Sequence, residues 1–503
     1  MSDDALDLLR ADAEAAAAFL ERMVDDRTRM LGLDKDLRKR LMMAAGRLAG
    51  PSREERKAVV RARRKAKRER RIEEDTALLD RTGIRRLRDN PIFLTPRRQA
   101  LHRDGGLGAG ERVGSEPIGS LHEPRTCYTC HRRYEEVHPF YDHLCMACGD
   151  LNYAKRDPVA DLSGRVALVT GARVKIGYQA AIMLLRNGCR VEVVTRFPRD
   201  AARRYAAEED FADWGHRLRV HGLDLRHTPS VERFCGQLLR ELPHLDLIIN
   251  NACQTVRRPA GFYDHLLGLE LGGEGQLTEA EASLIHGAFG GGKAEALTHE
   301  GGAPSSAALS QVELLPEDRM RGGQLFPAGE LDADLQQVDR RRVNSWRLKM
   351  ADVSAVELLE VQLVNAVAPY VINARLKPLM AKVPTNDTHI VNVSAMEGQF
   401  YRTFKSDKHP HTNMAKAALN MMTRTAALDY IEDGIHMNSV DTGWVTDEDP
   451  EHHAARKREE HRFHPPLDIV DGAARIVDPF FSGLVTGEHV WGQFLKDYKP
   501  CDW

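Results

Sequence analysis

No run of apolar residues in this 503-residue chain approaches the ~18 that a membrane span requires, which predicts no membrane-crossing segment and no membrane partner. The N-terminus, MSDDALDLLRADAEAAAAFLERM, lacks the basic start of a secretory signal and breaks its apolar positions with charge, so the expected compartment is the cytoplasm. Net charge is nearly absent: 72 Lys and Arg meet 74 Asp and Glu, and the overall balance of −2 singles out no class of partner. Cysteine is scarce, and its eight residues are too unevenly placed for a disulfide framework. Cys189, Cys235, Cys253 and Cys501 stand alone, whereas Cys127, Cys130, Cys145 and Cys148 fall together. What remains, 42% hydrophobic and 29% charged residues, is the composition of a soluble globular protein, long enough for one large domain and a smaller appended module.

The cysteine group is the sharpest local signal. Cys127-x2-Cys130 is followed after fourteen residues by Cys145-x2-Cys148. That spacing lets two knuckles surround one zinc tetrahedrally with four thiolates, a closed structural site with no open position for catalysis. His131, His138 and His143 are available as substitute ligands but are not needed. Residues 124–152 are therefore expected to form a zinc-ribbon-like module too short for a core of its own, with metal binding supplying much of its folding free energy. Before it, residues 1–104 read as a helical region, with Leu9, Ala13, Ala16 and Leu20 on one face and Ser52-x-x-Glu55 as a capping box. From Arg53 to Arg71 that region carries eleven Lys or Arg against three Glu. The stretch lacks interleaved aromatics, and a solvated helix face is its first reading; contact with a protein or nucleic-acid partner is the second. A glycine-rich linker at 105–123 separates this region from the cysteines.

From Arg165 onward, β-branched apolar runs alternate with helical patterns: RVALVT, RVEVVT, LRVHGL, LDLIIN, HIVNVS and HMNSV. Such alternation predicts an α/β fold, a doubly wound parallel sheet with crossover helices, over residues 160–503. A Gly-, Ala- and acid-rich stretch at about 256–342 interrupts it as an insertion, and Ser354-x-x-Glu357 restarts it as a helix start.

The first strand delivers Thr170-Gly171-Ala172-Arg173-Val174-Lys175-Ile176-Gly177 into a helix whose N-terminus can receive a pyrophosphate. Asp224-Leu225, Asn250-Asn251-Ala252, Asn365, Ser394 and Lys416 follow in order. In these residues the chain resembles the short-chain dehydrogenase/reductase superfamily, over roughly residues 160 to 500 without the insertion. The resemblance implies a Rossmann-type nucleotide domain in which Gly171, Arg173, Lys175, Ile176, Gly177, Arg196, Asp224, Leu225, Asn251, Ala252, Lys416 and Gly443 bind the coenzyme. Lys175 replaces the middle glycine of the family loop, as a basic residue does in the family's pteridine reductases. Arg196 stands where the family's NADP users place a base for the 2′-phosphate, so the implied coenzyme is NADP(H).

Family chemistry moves hydride between nicotinamide and a carbonyl or alcohol carbon. A Tyr exchanges the proton beside a Lys four residues on, a Ser polarises the carbonyl and an Asn holds a water. The resemblance assigns these roles to Ser394, Asn365 and Lys416, but the Tyr position falls on Thr412, whose hydroxyl is too weak an acid to replace a phenol. The segment between Ser394 and Thr412 is longer than usual and offers Tyr401, in a second Tyr-x-x-x-Lys with Lys405, as well as His409 and His411. Tyr401 is the favoured donor. A further departure is Asp441-Thr442-Gly443, where the family usually has Pro-Gly. Two functions follow: an NADPH-dependent carbonyl reductase or alcohol dehydrogenase with a relocated proton donor, or a catalytically inactive NADP(H)-binding scaffold or sensor with partner contacts through the zinc module and basic helices. The resemblance also implies a homo-oligomer built through the long helices.

Overall fold

The structure, a computed structural model, describes residues 3–98, 115–272, 276–286, 305–320, 323–401, 405–446, 448–461 and 464–503. Most of the glycine-rich linker expected at 105–123, and the stretch 287–304 of the insertion, lie outside these residues. The chain divides into two compact units, residues 1–76 and 77–503. The first is helical, with helices Asp3–Asp25, Lys35–Ala49 and most of Arg53–Asp80. The capping box forms as expected: Ser52 N–H donates to Glu55 Oε2 at 2.7 Å, and Glu55 N–H to Ser52 Oγ at 3.2 Å. Leu8, Leu9, Leu48 and Val59 are all exposed.

The second unit is built on an eight-stranded sheet. Its strands are β3 (Val166–Thr170), β4 (Arg190–Thr195), β5 (Leu218–Gly222), β6 (Leu247–Asn250), β7 (Thr388–Ser394), β8 (Ile435–Asp441), β9 (Phe494–Lys496) and β10 (Lys499–Cys501). Their order is β5-β4-β3-β6-β7-β8-β9-β10, parallel except where β10 returns antiparallel to β9. Every residue of β3, β6, β7 and β8 is buried, the reason these strands read as continuous apolar runs rather than alternating ones. The chain crosses to opposite sides of β3 to reach β4 and β6, and this switch opens a crevice outside the C-terminal ends of the strands.

Helix Ala355–Met380 corrects the sequence reading: by length and composition it is apolar enough to cross a membrane. Charges spaced along it, Glu357, Glu360, Arg375 and Lys377, hid the run. Here it serves as a core helix, with Ile372, Leu376, Leu379 and Met380 packed in one cluster with Val231, Phe234 and Leu238. Its regular turn widens to a π-type turn over Leu363–Val367, which contains Asn365.

The described part of the insertion docks on the domain. Phe262, Tyr263, Leu266, Ala307 and Phe326 pack with Phe197 in a small core. Ile285 pairs with Val220, and His286 N–H donates to the Val220 carbonyl at 2.9 Å, covering the edge that β5 otherwise exposes. The cysteine module, with its antiparallel β1 (Ser120–Thr126) and β2 (Arg133–Glu136) and helix Met146–Lys155, docks as well. Arg156 holds Asp468 at 2.7 Å and Asp471 at 2.9 Å, and the Tyr141 hydroxyl donates to Asp471 at 2.5 Å, all buried. These bonds fix the module on helix Ile469–Thr486, and a buried, fully partnered ion cluster is costly to break from one side.

Candidate active site

A cleft of about 1180 Å³ lies along the C-terminal ends of the strands, and it contains residues from the glycine loop, the insertion, helix Pro410–Tyr430 and the cysteine module. Its first wall is the loop after β3. Gly171 has φ +68°, and a Cβ there would lie 2.7 Å from Ala252 Cα. A Cβ on Gly177 would lie 2.3 Å from Asn251 Nδ2. Both positions therefore require glycine for the loop to seat on Asn251-Ala252. Asn251 Nδ2 donates to the carbonyls of Thr170 and Gly171, each at 3.1 Å, and Ala252 N–H donates to Thr170 Oγ1 at 3.0 Å. Lys175 has φ +56°, so the backbone keeps the left-handed shape of the glycine that it replaces, at a cost of about 1 kcal/mol. The helix it opens has no side-chain cap, which leaves its N–H groups available to a phosphate. Ile176 packs on Gly472 and lines the cleft.

The adenosine end is rich in arginine. Arg196 donates to the Tyr263 hydroxyl at 2.6 Å with its guanidinium 4.7 Å from that ring. Asp224 is neutralised by Arg226, whose Nη2 stands 2.7 Å away, and Leu225 and Arg258 complete the wall. Arg173 also borders the cleft, but its guanidinium is held by Asp200 at 2.7 Å. Lys175 Nζ lies 4.0 Å from Asp334; burial opposes its charge, while Glu448, Asp334 and Asp332 favour it, with a net upward shift. Arg258 is held by Asp339 and Arg226 by Asp224, whereas Arg196 meets the neutral Tyr263 hydroxyl, so its charge is the one in this wall that suits a phosphorylated ribose.

At the other end, Ser394, Lys416 and Tyr401 line the cleft, whereas buried Asn365 is not among the residues that line it. Ser394 closes β7, and its Oγ donates to Asn420 Oδ1 at 2.6 Å. Lys416 Nζ donates to the Val393 carbonyl at 2.7 Å. Asn365 accepts from Gln254 N–H at 2.7 Å and returns a bond to the Gln254 carbonyl at 3.3 Å, joining the π-type turn to the strand after β6. Thr412 lines the cleft, and Tyr401 borders it half exposed, with its hydroxyl 3.2 Å from Cys501 Sγ. The two histidines are elsewhere: His409 stacks on Trp346 with ring centroids 3.9 Å apart, and buried His411 faces Glu357 at 3.4 Å. Of the three substitutes for the missing Tyr, Tyr401 is the one that shares the cleft with Ser394 and Lys416.

Two residues entered the site that sequence reasoning did not place there. Asp441 pairs with Ser394 across β7 and β8, accepts from Met396 N–H at 3.2 Å, and is pushed up to about 6 by burial, helped by Glu397 and Asp497. Its departure from the family pattern was visible; its environment was not. Tyr128, from the first cysteine knuckle, accepts from Trp444 N–H at 2.9 Å beside Gly443, and burial raises its phenol. Gly443 has φ +75°, and a Cβ there would meet Leu467 at 2.6 Å and the Tyr128 hydroxyl at 3.4 Å. The four cysteines themselves are together, with their sulfur atoms all within 4.8 Å of one another. Cys130 and Cys145 are 3.7 Å apart. Four thiols at this separation fit a tetrahedral zinc.

The family model for short chain dehydrogenases matches residues 165–265, and that for Enoyl-(Acyl carrier protein) reductases matches residues 343–465. The gap between the two falls on the insertion. An uncharacterized protein of Acanthamoeba polyphaga mimivirus is 31% identical over 396 residues, 75% of this chain and 75% of that protein. Retinol dehydrogenase 11 of Mus musculus is 36% identical over 109 residues, 21% of this chain and 34% of that protein, so the match spans about a third of its length. A solved dehydrogenase/reductase from Sinorhizobium meliloti 1021 is 17% identical, with a TM-score of 0.42 over 68% of this chain and 96% of that one. With the glycine loop, the parallel sheet and the ordered Asn365, Ser394 and Lys416 in place, the chain belongs to the short-chain dehydrogenase/reductase superfamily of oxidoreductases.

Proposed function

We propose that the protein is an NADP(H)-dependent oxidoreductase of carbonyl reductase or alcohol dehydrogenase type. One observation carries this reading: a single cleft contains Gly171, Gly177 and Arg196 at one end and Ser394, Lys416 and Asp441 at the other. The bound coenzyme supplies or accepts the hydride. The N-terminus of helix Lys175–Arg186 receives the pyrophosphate, Arg196 receives the 2′-phosphate, and Lys416 holds the ribose. Ser394 Oγ donates to the substrate oxygen, and Tyr401 exchanges the proton with that oxygen in place of the family Tyr. Asn365 retains a water on the proton path. In sequence order the segment 446–466 holds the family's substrate-loop position, and its polar composition fits a polar carbonyl or alcohol.

The four cysteines take one structural zinc, which fixes Tyr128 over the nicotinamide end of the cleft. Exposed Leu359, Tyr370, Met414 and Met421 on helices Ala355–Met380 and Pro410–Tyr430 form the face through which two copies of the chain associate. The basic stretch 53–71 is a solvated helix face that is open to a protein or nucleic-acid partner, and the compartment is cytoplasmic.

Single-turnover oxidation of NADPH, followed at its absorbance band against aldehydes, ketones, quinones and pterins, tests the reading. Turnover that collapses in Tyr401→Phe but survives in His411→Ala supports both the activity and the donor. Tight NADPH binding with no oxidation on any substrate transfers the protein to the scaffold or sensor reading, which the Thr412 substitution favours.

A further inference from the structure

The end of the sheet opposite the cleft carries three histidines that the redox site does not use. His389 and His436 are the second residues of β7 and β8, directly paired in register, with rings stacked 5.0 Å apart at 25°. His489 reaches them from the loop between helix Ile469–Thr486 and β9, its ring 5.2 Å from His389 and 4.7 Å from His436. Each offers a ring nitrogen, and the three atoms lie within 4.8 Å of one another.

Three further features separate this trio from a casual packing of rings. His389 Nε2 and His489 Nδ1 face each other at 2.9 Å, a hydrogen bond in which one ring donates to the other, so an ion here would take the place of the proton the two nitrogens share. His436 points its Nδ1 at the Thr388 carbonyl, 3.2 Å away, which sets the proton on Nδ1 and leaves Nε2 as a lone pair; metal-binding histidines are oriented in this way by an outer hydrogen bond. Finally, residue 483 is glycine on the helix that covers the trio. A Cβ there would stand 2.4 Å from His489 Nδ1 and 3.2 Å from His389 Nε2, so the missing side chain keeps open the space beside the two facing nitrogens.

We propose that His389, His436 and His489 form a second metal site, separate from the four cysteines, that takes a borderline divalent transition ion such as zinc. Three imidazoles suit Zn²⁺, Co²⁺, Ni²⁺ or Cu²⁺ and not the hard ions Mg²⁺ or Ca²⁺, which need oxygen ligands. Its place at the strand ends remote from Ser394 makes the role structural: the ion ties the loop that leads into β9 to the two central strands. Partly exposed His489 gives the ion a way in.

The test uses the full, tag-free chain, stripped of metal and titrated with Co²⁺ and Zn²⁺. The thiolate site reports itself by intense sulfur-to-cobalt charge-transfer absorption, which an imidazole site lacks. Two equivalents bound per chain are expected, with the second adding only weak visible bands. His489→Gln, a change in a partly exposed loop, is expected to reduce the stoichiometry from two to one while the charge-transfer absorption stays. His436→Gln provides an independent check with the same expected loss. Saturation at one equivalent in the unmodified chain, or a second equivalent that persists in both variants, overturns the proposal.

Discussion

Ser394 and Asp441 are paired neighbours at the C-terminal ends of β7 and β8, so a buried carboxyl stands beside the serine assigned to the substrate oxygen. Burial pushes Asp441 up to about 6, above its value in an unfolded chain. A raised acid binds its proton more tightly when folded, so stability is lost as pH rises from about 4 through 6, where the folded form must ionise. Asp441→Asn removes that cost. Its stability relative to the unmodified protein should improve by about 1 kcal/mol between pH 5 and pH 7.5, measured by urea unfolding at the two pH values. The turnover profile should also lose an inflection near pH 6. A stability difference that does not change with pH would show that Asp441 is not titrating in this range.

Arg196 supplies the clearest test of coenzyme choice, because the Tyr263 hydroxyl and ring fix its guanidinium at the end of β4. A charge-assisted bond to a phosphate contributes about 1.5–3 kcal/mol. Arg196→Ala should therefore weaken NADPH binding about 10- to 100-fold and leave NADH binding nearly unchanged, as measured by fluorescence titration. An equal loss for both coenzymes would remove the 2′-phosphate role.

The sheet, the glycine loop and the meeting of Ser394 with Lys416 in one cleft were legible because each rests on a local pattern: apolar runs at strand length, a loop between strand and helix, and residues in a fixed order. What escaped the sequence depends on contacts across long separations. Tyr128 and Gly443 meet although 315 positions separate them in the numbering, and nothing near Tyr128 announces a cleft. Arg173 looked like a phosphate ligand, yet Asp200 on the next helix holds it. Lys175 was readable as a lost glycine; that the backbone keeps φ at +56° was not. The three histidines lie on three separate elements with no ligand spacing, so only the register of β7 with β8 brings two of them together.

Zinc removal should reach the redox site through Tyr128. The first knuckle positions this residue, with Tyr128 N–H donating to the His143 carbonyl at 2.9 Å and its hydroxyl accepting from Trp444. Without metal, the short module loses much of its folding free energy. A chelator strong enough to strip the thiolate site should lower Tm and slow NADPH turnover, while NADPH affinity, set at the far end of the cleft, changes little. Unchanged turnover in a chain shown by native mass spectrometry to be free of zinc would uncouple the module from the chemistry.

Thr412 occupies the family Tyr position, and its fate separates a relocated proton donor from a retained hydroxyl. Its Oγ1 is buried with no hydrogen-bond partner among the described residues. Replacing an unpartnered buried hydroxyl by a methyl group of the same shape removes a desolvation cost of about 1 kcal/mol and adds none. Thr412→Val should therefore raise stability by about that amount in urea unfolding. If Tyr401 exchanges the proton, the same variant should keep NADPH turnover within about twofold of the unmodified chain, because a methyl group in place of the hydroxyl nearly preserves the side chain's shape and adds no charge. A drop of a hundredfold or more, with NADPH still bound, would return the proton path to residue 412 and remove Tyr401 from it.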